Sequence, residues 1–320
     1  MKINVDLLKK LEKTIDTYHP ERGQVPIKIL GYGEISLVFE LLNDPASIAY
    51  KRLPVFENKR QVNYYIKIYD KYNKILSERV GLNIPEYKTA WVEDPEGKPV
   101  LYCAQKKLPP ESIGNKIIHD LNSQNVNKLI ILVMRELKKV WKFNIENEDL
   151  KLGLDGQISN FSLGGYDPSN PKIPEDGVLQ YLDTSTPLYR KNGIEAINPD
   201  QLLKSLAFFL RPIVKYMFVQ EILDRYYDWR LVTIDLIANF FKEQLPRLIP
   251  GIVKVTNKFF ADEAKEFNIE PITLKEVQDY YKSDKMIWVV VQNSRKIDRF
   301  IKTKLLRRRY LFYLPGKIQR

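Results

Sequence analysis

Apolar residues recur at Leu7, Leu8, Leu11 and Ile15, the spacing of an amphipathic helix over residues 5–18, and His19-Pro20 closes it. Three short runs rich in branched and aromatic residues follow, at 27–31, 36–42 and 48–53. GYGEI joins the first pair and NDPAS the second, both turn chemistry. A helical pattern over 59–80 ends at Gly81, a residue suited to the left-handed position after a helix. Strands are expected at 87–93 and 100–105 around the turn DPEGKP. After Pro109-Pro110 the period becomes helical, most clearly over 125–143; a β-rich insert occupies 157–183, and from Asn198-Pro199 onward the chain reads as nearly all helix. Strands with one helix thus precede a mostly helical part, and the join falls near Lys107.

Composition narrows the class. The 320 residues, 44% hydrophobic, suffice for a substantial core in one large domain or two lobes. A single cysteine, Cys103, excludes an internal disulfide framework, and two histidines leave little for zinc chemistry or a Ser-His-Asp triad. The apolar runs are too short to span a bilayer and the N-terminus lacks an apolar signal core, so a soluble, cytoplasmic protein is expected. The net charge of +11 is concentrated at one end: residues 281–320 hold twelve basic and two acidic side chains, and the first 280 are close to neutral.

Chemistry-bearing residues fall in four pieces. Gly31-Tyr32-Gly33-Glu34-Ile35-Ser36 lies between two strands, where glycines let backbone N–H groups approach phosphates. Ile48-Ala49-Tyr50-Lys51 places a lysine on the third strand, able to hold phosphate as a point charge. In Asp155-Gly156-Gln157-Ile158-Ser159-Asn160 a carboxylate that can accept a proton stands five residues before an amide that can ligate Mg²⁺. Last, Asp183 ends the apolar run of Val178 to Leu182. Each alone has a plainer reading: a hairpin, a solvated lysine, an Asp-Gly turn, a cap.

Together, in this order, the four pieces resemble the protein-kinase-like superfamily, and most nearly its small-molecule branch of aminoglycoside phosphotransferases and choline kinases. IAYK matches the family's V-A-I-K strand, DGQISN its D-x-x-x-x-N loop, and YLDTST its metal-binding aspartate. The resemblance covers residues 25 to 240. It implies an α+β, bilobal fold: an N-lobe of antiparallel sheet plus helix over 1–106, a mainly helical C-lobe over 107–280, and a basic amphipathic extension over 281–320 packed on the C-lobe. It also implies roles. Lys51 would hold the nucleotide phosphates, with Gly31, Gly33 and Ser36 lining the lid above them. Asp155 would be the catalytic base, and Asn160 and Asp183 would bind Mg²⁺. Gln105 and Lys107, in the segment joining the lobes, would read adenine. Asp70, with Glu57 and Glu78 as rivals, would pair with Lys51. The expected reaction is ATP- and Mg²⁺-dependent phosphoryl transfer to a hydroxyl of a small molecule.

Departures from the family pattern keep two alternatives open, an atypical protein serine/threonine kinase and a catalytically silent pseudokinase. Ser36 stands where the family has a third glycine. No histidine precedes Asp155, Gln157 replaces the usual basic residue, and Thr184-Ser185 follows Asp183 in place of Phe-Gly. Aromatic residues between Phe208 and Trp229 are expected in the core, and Asp224, Asp228 and Arg230 are candidates for an acceptor pocket. In the tail, Arg295, Lys296, Arg299, Lys302 and Lys304 alternate with Ile297, Phe300, Ile301 and Leu305, an amphipathic basic helix whose apolar face should dock on the C-lobe. Its basic face suits an anionic partner or plain solvent; without a recognised nucleic-acid module, nucleic acid is not the expected partner.

Overall fold

The computed structural model describes residues 1–33 and 36–314. Glu34 and Ile35 of the glycine turn, and the end of the basic tail, lie outside the described residues.

A five-stranded antiparallel sheet forms from β1 (Ile27–Tyr32), β2 (Leu37–Leu41), β3 (Ile48–Leu53), β4 (Tyr87–Glu93) and β5 (Pro99–Lys106) in the order β1-β2-β3-β5-β4. Alternation along β3 sends Tyr50 and Arg52 to one face and Lys51 and Leu53 to the other. The two faces are covered differently. On one lies α1 (Val5–Thr14), whose Leu8 and Leu11 pack with Phe39, Tyr50 and Tyr102. On the other lies α2 (Lys59–Lys74), whose Val62, Tyr65 and Tyr69 pack with Leu53, Leu101 and Cys103. Cover on both sides explains why β5 is buried along most of its length instead of alternating. Asn58 caps α2 by accepting from Gln61 N–H at 3.0 Å. Its far end passes through a π-helical turn at Ile75–Val80 to Gly81, whose φ of 79° is the left-handed conformation the sequence suggests.

The rest is mainly helical. The elements α3 (Gly114–Asp120) and α4 (Ser123–Glu146) lead into a region of short strands: β6 (Leu150–Leu152), β7 (Phe161–Leu163), β8 (Leu179–Tyr181), β9 (Tyr189–Lys191) and β10 (Ile194–Glu195). Next come α5 (Pro199–Leu203), α6 (Arg211–Met217), α7 (Val219–Asp224), α8 (Trp229–Lys242), α9 (Ile249–Asp262) and α10 (Leu274–Phe300). Together with the sheet lobe, this is an α+β arrangement of an antiparallel sheet with its helices followed by a mainly helical part. Among the described residues no helix is long and apolar enough to cross a membrane.

Two expectations need correcting. The nearly continuous helix expected from Asn198-Pro199 onward is broken over 211–227 into α6, α7 and a 3₁₀ turn, with Phe218 at the junction; of the aromatics between Phe208 and Trp229 expected in the core, Phe208, Phe209, Tyr216 and Phe218 are exposed and Trp229 alone is fully buried. The basic extension does not simply pack on the C-lobe. The α10 helix begins at Leu274 with a Thr273/Glu276 capping box and packs its first half on α8. The segment after it crosses to the N-lobe, where Arg52 donates to Leu311 C=O at 2.6 Å, Thr17 to Tyr310 C=O at 3.0 Å, and Arg309 to Glu12 C=O at 2.9 Å. Polar groups that far apart in sequence give no local periodicity to read.

Candidate active site

Lys51 lies opposite Val38 on β2 and Cys103 on β5, and its ammonium reaches across the lobes to Asp183 Oδ1 at 2.8 Å. Asp183 is where β8 delivers it. The β7–β8 pair sets Phe161 against Tyr181, so the residues just outside the ladder, Asn160 and Leu182–Asp183, also adjoin; Leu182 N–H donates to Asn160 C=O at 2.8 Å. Asn160 Nδ2 donates to Asp155 C=O at 3.2 Å, and the Tyr181 hydroxyl donates to the same carbonyl at 3.2 Å. A continuous chain of bonds thus brings Lys51, Asp183, Asn160 and Asp155 to one cleft between the lobes.

The loop carrying Asp155 is fixed by packing. A Cβ at Gly156 would sit 2.5 Å from Val232 Cγ1 on α8, so a larger residue would push the loop off that helix. Gln157 N–H donates to Asp155 Oδ1 at 3.2 Å, and Gln157 Nε2 to Asp235 on α8 at 3.1 Å. Asp183 is held by Lys51 and by the Ser185 hydroxyl at 2.9 Å. Burial works to raise its carboxyl; the Lys51 charge and the hydrogen bonds from Lys51 and Ser185 outweigh this and hold it below the ordinary 3.8.

Gly33, at the start of the glycine turn, lies next to the lysine. Gly33 N–H donates to Ser36 C=O at 2.8 Å, and a Cβ at Gly33 would lie 3.8 Å from Lys51 Cε. Ser36 is buried and its Oγ has no hydrogen-bond partner among the described residues. Gly31 pairs with Val38 beyond a bulge in β1 and faces open space. An orphaned hydroxyl beside a lysine, under a glycine turn, fits an anionic ligand such as a nucleotide phosphate. For a metal, the donor set is the Asp183 carboxylate and the Asn160 amide oxygen, the Asn160 Nδ2 being tied to Asp155 C=O. Among the described residues no group of three or more His, Cys, Asp or Glu gathers anywhere. Two hard oxygen donors fit Mg²⁺ shared with phosphate oxygens rather than a metal caged by protein alone.

Other sequence candidates lie elsewhere in function. Asp70 is not brought to Lys51, whose ion partner is Asp183; burial raises the Asp70 carboxyl above its ordinary value. Glu57 pairs with Lys98 and Lys204. Gln105 donates to the Thr184 hydroxyl at 3.2 Å, tying β5 to the segment after Asp183, and Lys107 N–H is engaged by Ser47 C=O at 2.9 Å while its ammonium pairs with Glu40. These donors are thus engaged within the protein. Asp224 pairs with Arg190, Asp228 caps α8 by accepting from Leu231 N–H at 3.0 Å, and Arg230 joins Glu276 at 2.6 Å, all structural duties.

Sequence reasoning missed the tyrosines of α2. Tyr65, Tyr69 and Tyr72 follow the i, i+4, i+7 spacing of one helix face, a signal present in NYYIKIYDKY. Tyr65 donates to Ser185 C=O at 2.7 Å and Tyr72 to Gly153 C=O at 2.8 Å, just before Leu154-Asp155. This helix therefore ties both chemistry-bearing segments of the lower lobe through neutral hydroxyls. Burial foremost, then Cys103 and the Asp183 charge, pushes the Tyr65 phenol well above its usual value; burial does the same to Tyr72, followed by Asp183 and Asp155.

Fold and site define an α+β protein in which a strand lysine meets Asp183, with Asn160 and Asp155 bonded alongside. The chain belongs to DUF6206, a family of unknown function, which it matches over residues 10–299. No curated protein matches it in sequence. Among solved structures it is similar to the GDP complex of wild-type aminoglycoside 2'-phosphotransferase-IIIa, at 13% identity and a TM-score of 0.36, covering 84% of this chain and 100% of that one. The GDP complex of a point mutant of the same enzyme gives 12% identity and a TM-score of 0.33, covering 75% of this chain and 92% of that one.

Proposed function

We propose that the protein is an ATP- and Mg²⁺-dependent phosphotransferase acting on a hydroxyl of a small molecule. The observation that carries this reading is the bonded chain Lys51–Asp183–Asn160–Asp155 beneath the Gly33 turn. Phosphoryl transfer needs positioning and charge neutralisation more than covalent chemistry, and this set supplies the required kinds of group. Lys51 holds phosphate oxygens and the Ser36 hydroxyl donates to them. Asp183 and Asn160 hold Mg²⁺, which when bound neutralises charge developing on the phosphates. Asp155 accepts the proton of the attacking hydroxyl and orients it. Leu108, the next backbone donor after Lys107, takes the adenine-reading place first expected of Lys107.

Asp155→Asn tests the assignment. Turnover of ATP with an accepted alcohol should fall by about 10²-fold or more while nucleotide affinity stays within about twofold. Undiminished turnover in that variant would remove Asp155 from the mechanism. The specific observation favouring a silent nucleotide-binding protein is the pairing of Lys51 with Asp183 in place of a helix acid; nucleotide binding with no turnover on any alcohol would select that reading.

A further inference from the structure

We propose that the outward face of α10 and the turn after it form a docking surface for an anionic lipid bilayer, an inference independent of the phosphotransferase reading. The helix is mounted with its polarity reversed. Its buried side carries Gln292, Ser294, Arg295 and Asp298, while Met286, Ile287, Val289, Val290, Ile297 and Phe300 face solvent, each at least 47% exposed. An ordinary surface helix buries the apolar stripe and exposes the polar one. Here buried Arg295 donates to Tyr313 C=O at 3.1 Å, which ties the polar side to the segment after the helix, while buried Asp298 pairs with Lys302 one turn on at 2.8 Å.

The rim of this face is cationic. Lys285, Lys296, Lys304, Arg307 and Arg308 are exposed and form no ion pair among the described residues. The nearby acids are engaged: Asp284 with Lys242 at 3.1 Å, and Asp298 is buried. The apolar surface continues past the helix in Leu305 and Leu306, 67% and 54% exposed, set between Lys304 and Arg307. A second copy of the chain would bring the same lysines against each other at the edges of the seam, which disfavours self-pairing. A broad aliphatic face about 21 Å long, with lysine and arginine stems at its margin, instead matches a helix lying in the headgroup region of an acidic leaflet, where aliphatic side chains enter the acyl boundary and cations stay with the phosphates.

Flotation of the full chain with vesicles tests this. With phosphatidylcholine/phosphatidylserine vesicles at about 0.1 M salt the protein should float, with phosphatidylcholine alone it should not, and about 1 M salt should release it. Val290→Glu combined with Ile297→Glu should weaken partition at least about tenfold with the melting temperature unchanged, because both side chains are exposed. The pair Lys296→Glu and Arg307→Glu should do so by a similar factor. Absence of flotation with either vesicle, or equal flotation with both, overturns the proposal. So does a wild-type dimer in light scattering that does not float and that Val290→Glu/Ile297→Glu converts to monomer, which would assign the face to a second copy. The lipid-composition comparison uses the wild-type protein alone and holds even if a variant fails to fold.

Discussion

Lys51 and Arg52 are neighbours on one strand, each ion-paired to a carboxylate distant in sequence, and they do opposite work. Lys51 faces the cleft; it and Asp183 keep about a fifth to a quarter of their side-chain surface open to water. Arg52 faces the back of the sheet, where it and Glu12 are closed off and meet through two contacts, at 2.5 and 2.9 Å. Tyr102 and the Leu311 carbonyl complete the enclosure. An ion pair that water can reach can be opened and its partners handed to a ligand; one sealed among tyrosines holds a shape. Strand alternation alone turns adjacent cations into a site and a bolt.

Mutations should separate these duties. Lys51→Met is expected to cut phosphoryl transfer by about 10²–10³-fold while costing about 1 kcal/mol of stability or less, read from turnover and urea unfolding. A stability loss as large as that of the Glu12 variant would merge the two pairs into one structural role. Glu12→Gln should do the reverse, destabilising by about 3–5 kcal/mol because it leaves the Arg52 charge buried without its counterion. Its pH dependence has a definite sign. Burial works to raise the Glu12 carboxyl, but Arg52, Tyr102 and Arg309 together bring it below its ordinary 4.5. The ion pair's stabilisation is therefore complete above about pH 4.5 and is lost as pH falls through the lower folded value, so the gap between wild type and Glu12→Gln should narrow in that acid range. A gap that widened there would contradict the assignment. Tyr72→Phe is the mildest: loss of the bond to Gly153 C=O should cost about 1 kcal/mol and lower turnover more than nucleotide affinity, since the hydroxyl acts on the loop bearing Asp155. A change in nucleotide affinity alone would place Tyr72 elsewhere in the reaction.

How much was legible follows from the range of the interactions. Strands β1 to β5 and helix α2 announce themselves by local period, with Gly81 at its expected left-handed turn. The motif order brings Lys51, Asp155, Asn160 and Asp183 together because a third-strand lysine and the ends of a β7–β8 pair converge in this architecture. Asp70 misleads because helix spacing names a face without saying what that face meets; the residues of α2 that reach Ser185 and Gly153 are Tyr65 and Tyr72, five residues before it and two after. The tail misleads for a related reason. Periodicity shows that α10 is amphipathic, yet only the burial of Arg295 and Asp298, and the bond of Arg295 to a segment that doubles back onto α1 and β3, show which side is inward.

The most direct measurement of the cleft's role is ATP binding by calorimetry, with and without Mg²⁺, for wild type and Asp183→Asn. The account predicts that Mg²⁺ tightens binding to wild type and has no such effect on the variant, whose metal-binding carboxylate is gone. Equal affinity with and without Mg²⁺ in wild type, or an intact Mg²⁺ effect in Asp183→Asn, would contradict the assignment of this cleft to phosphoryl transfer.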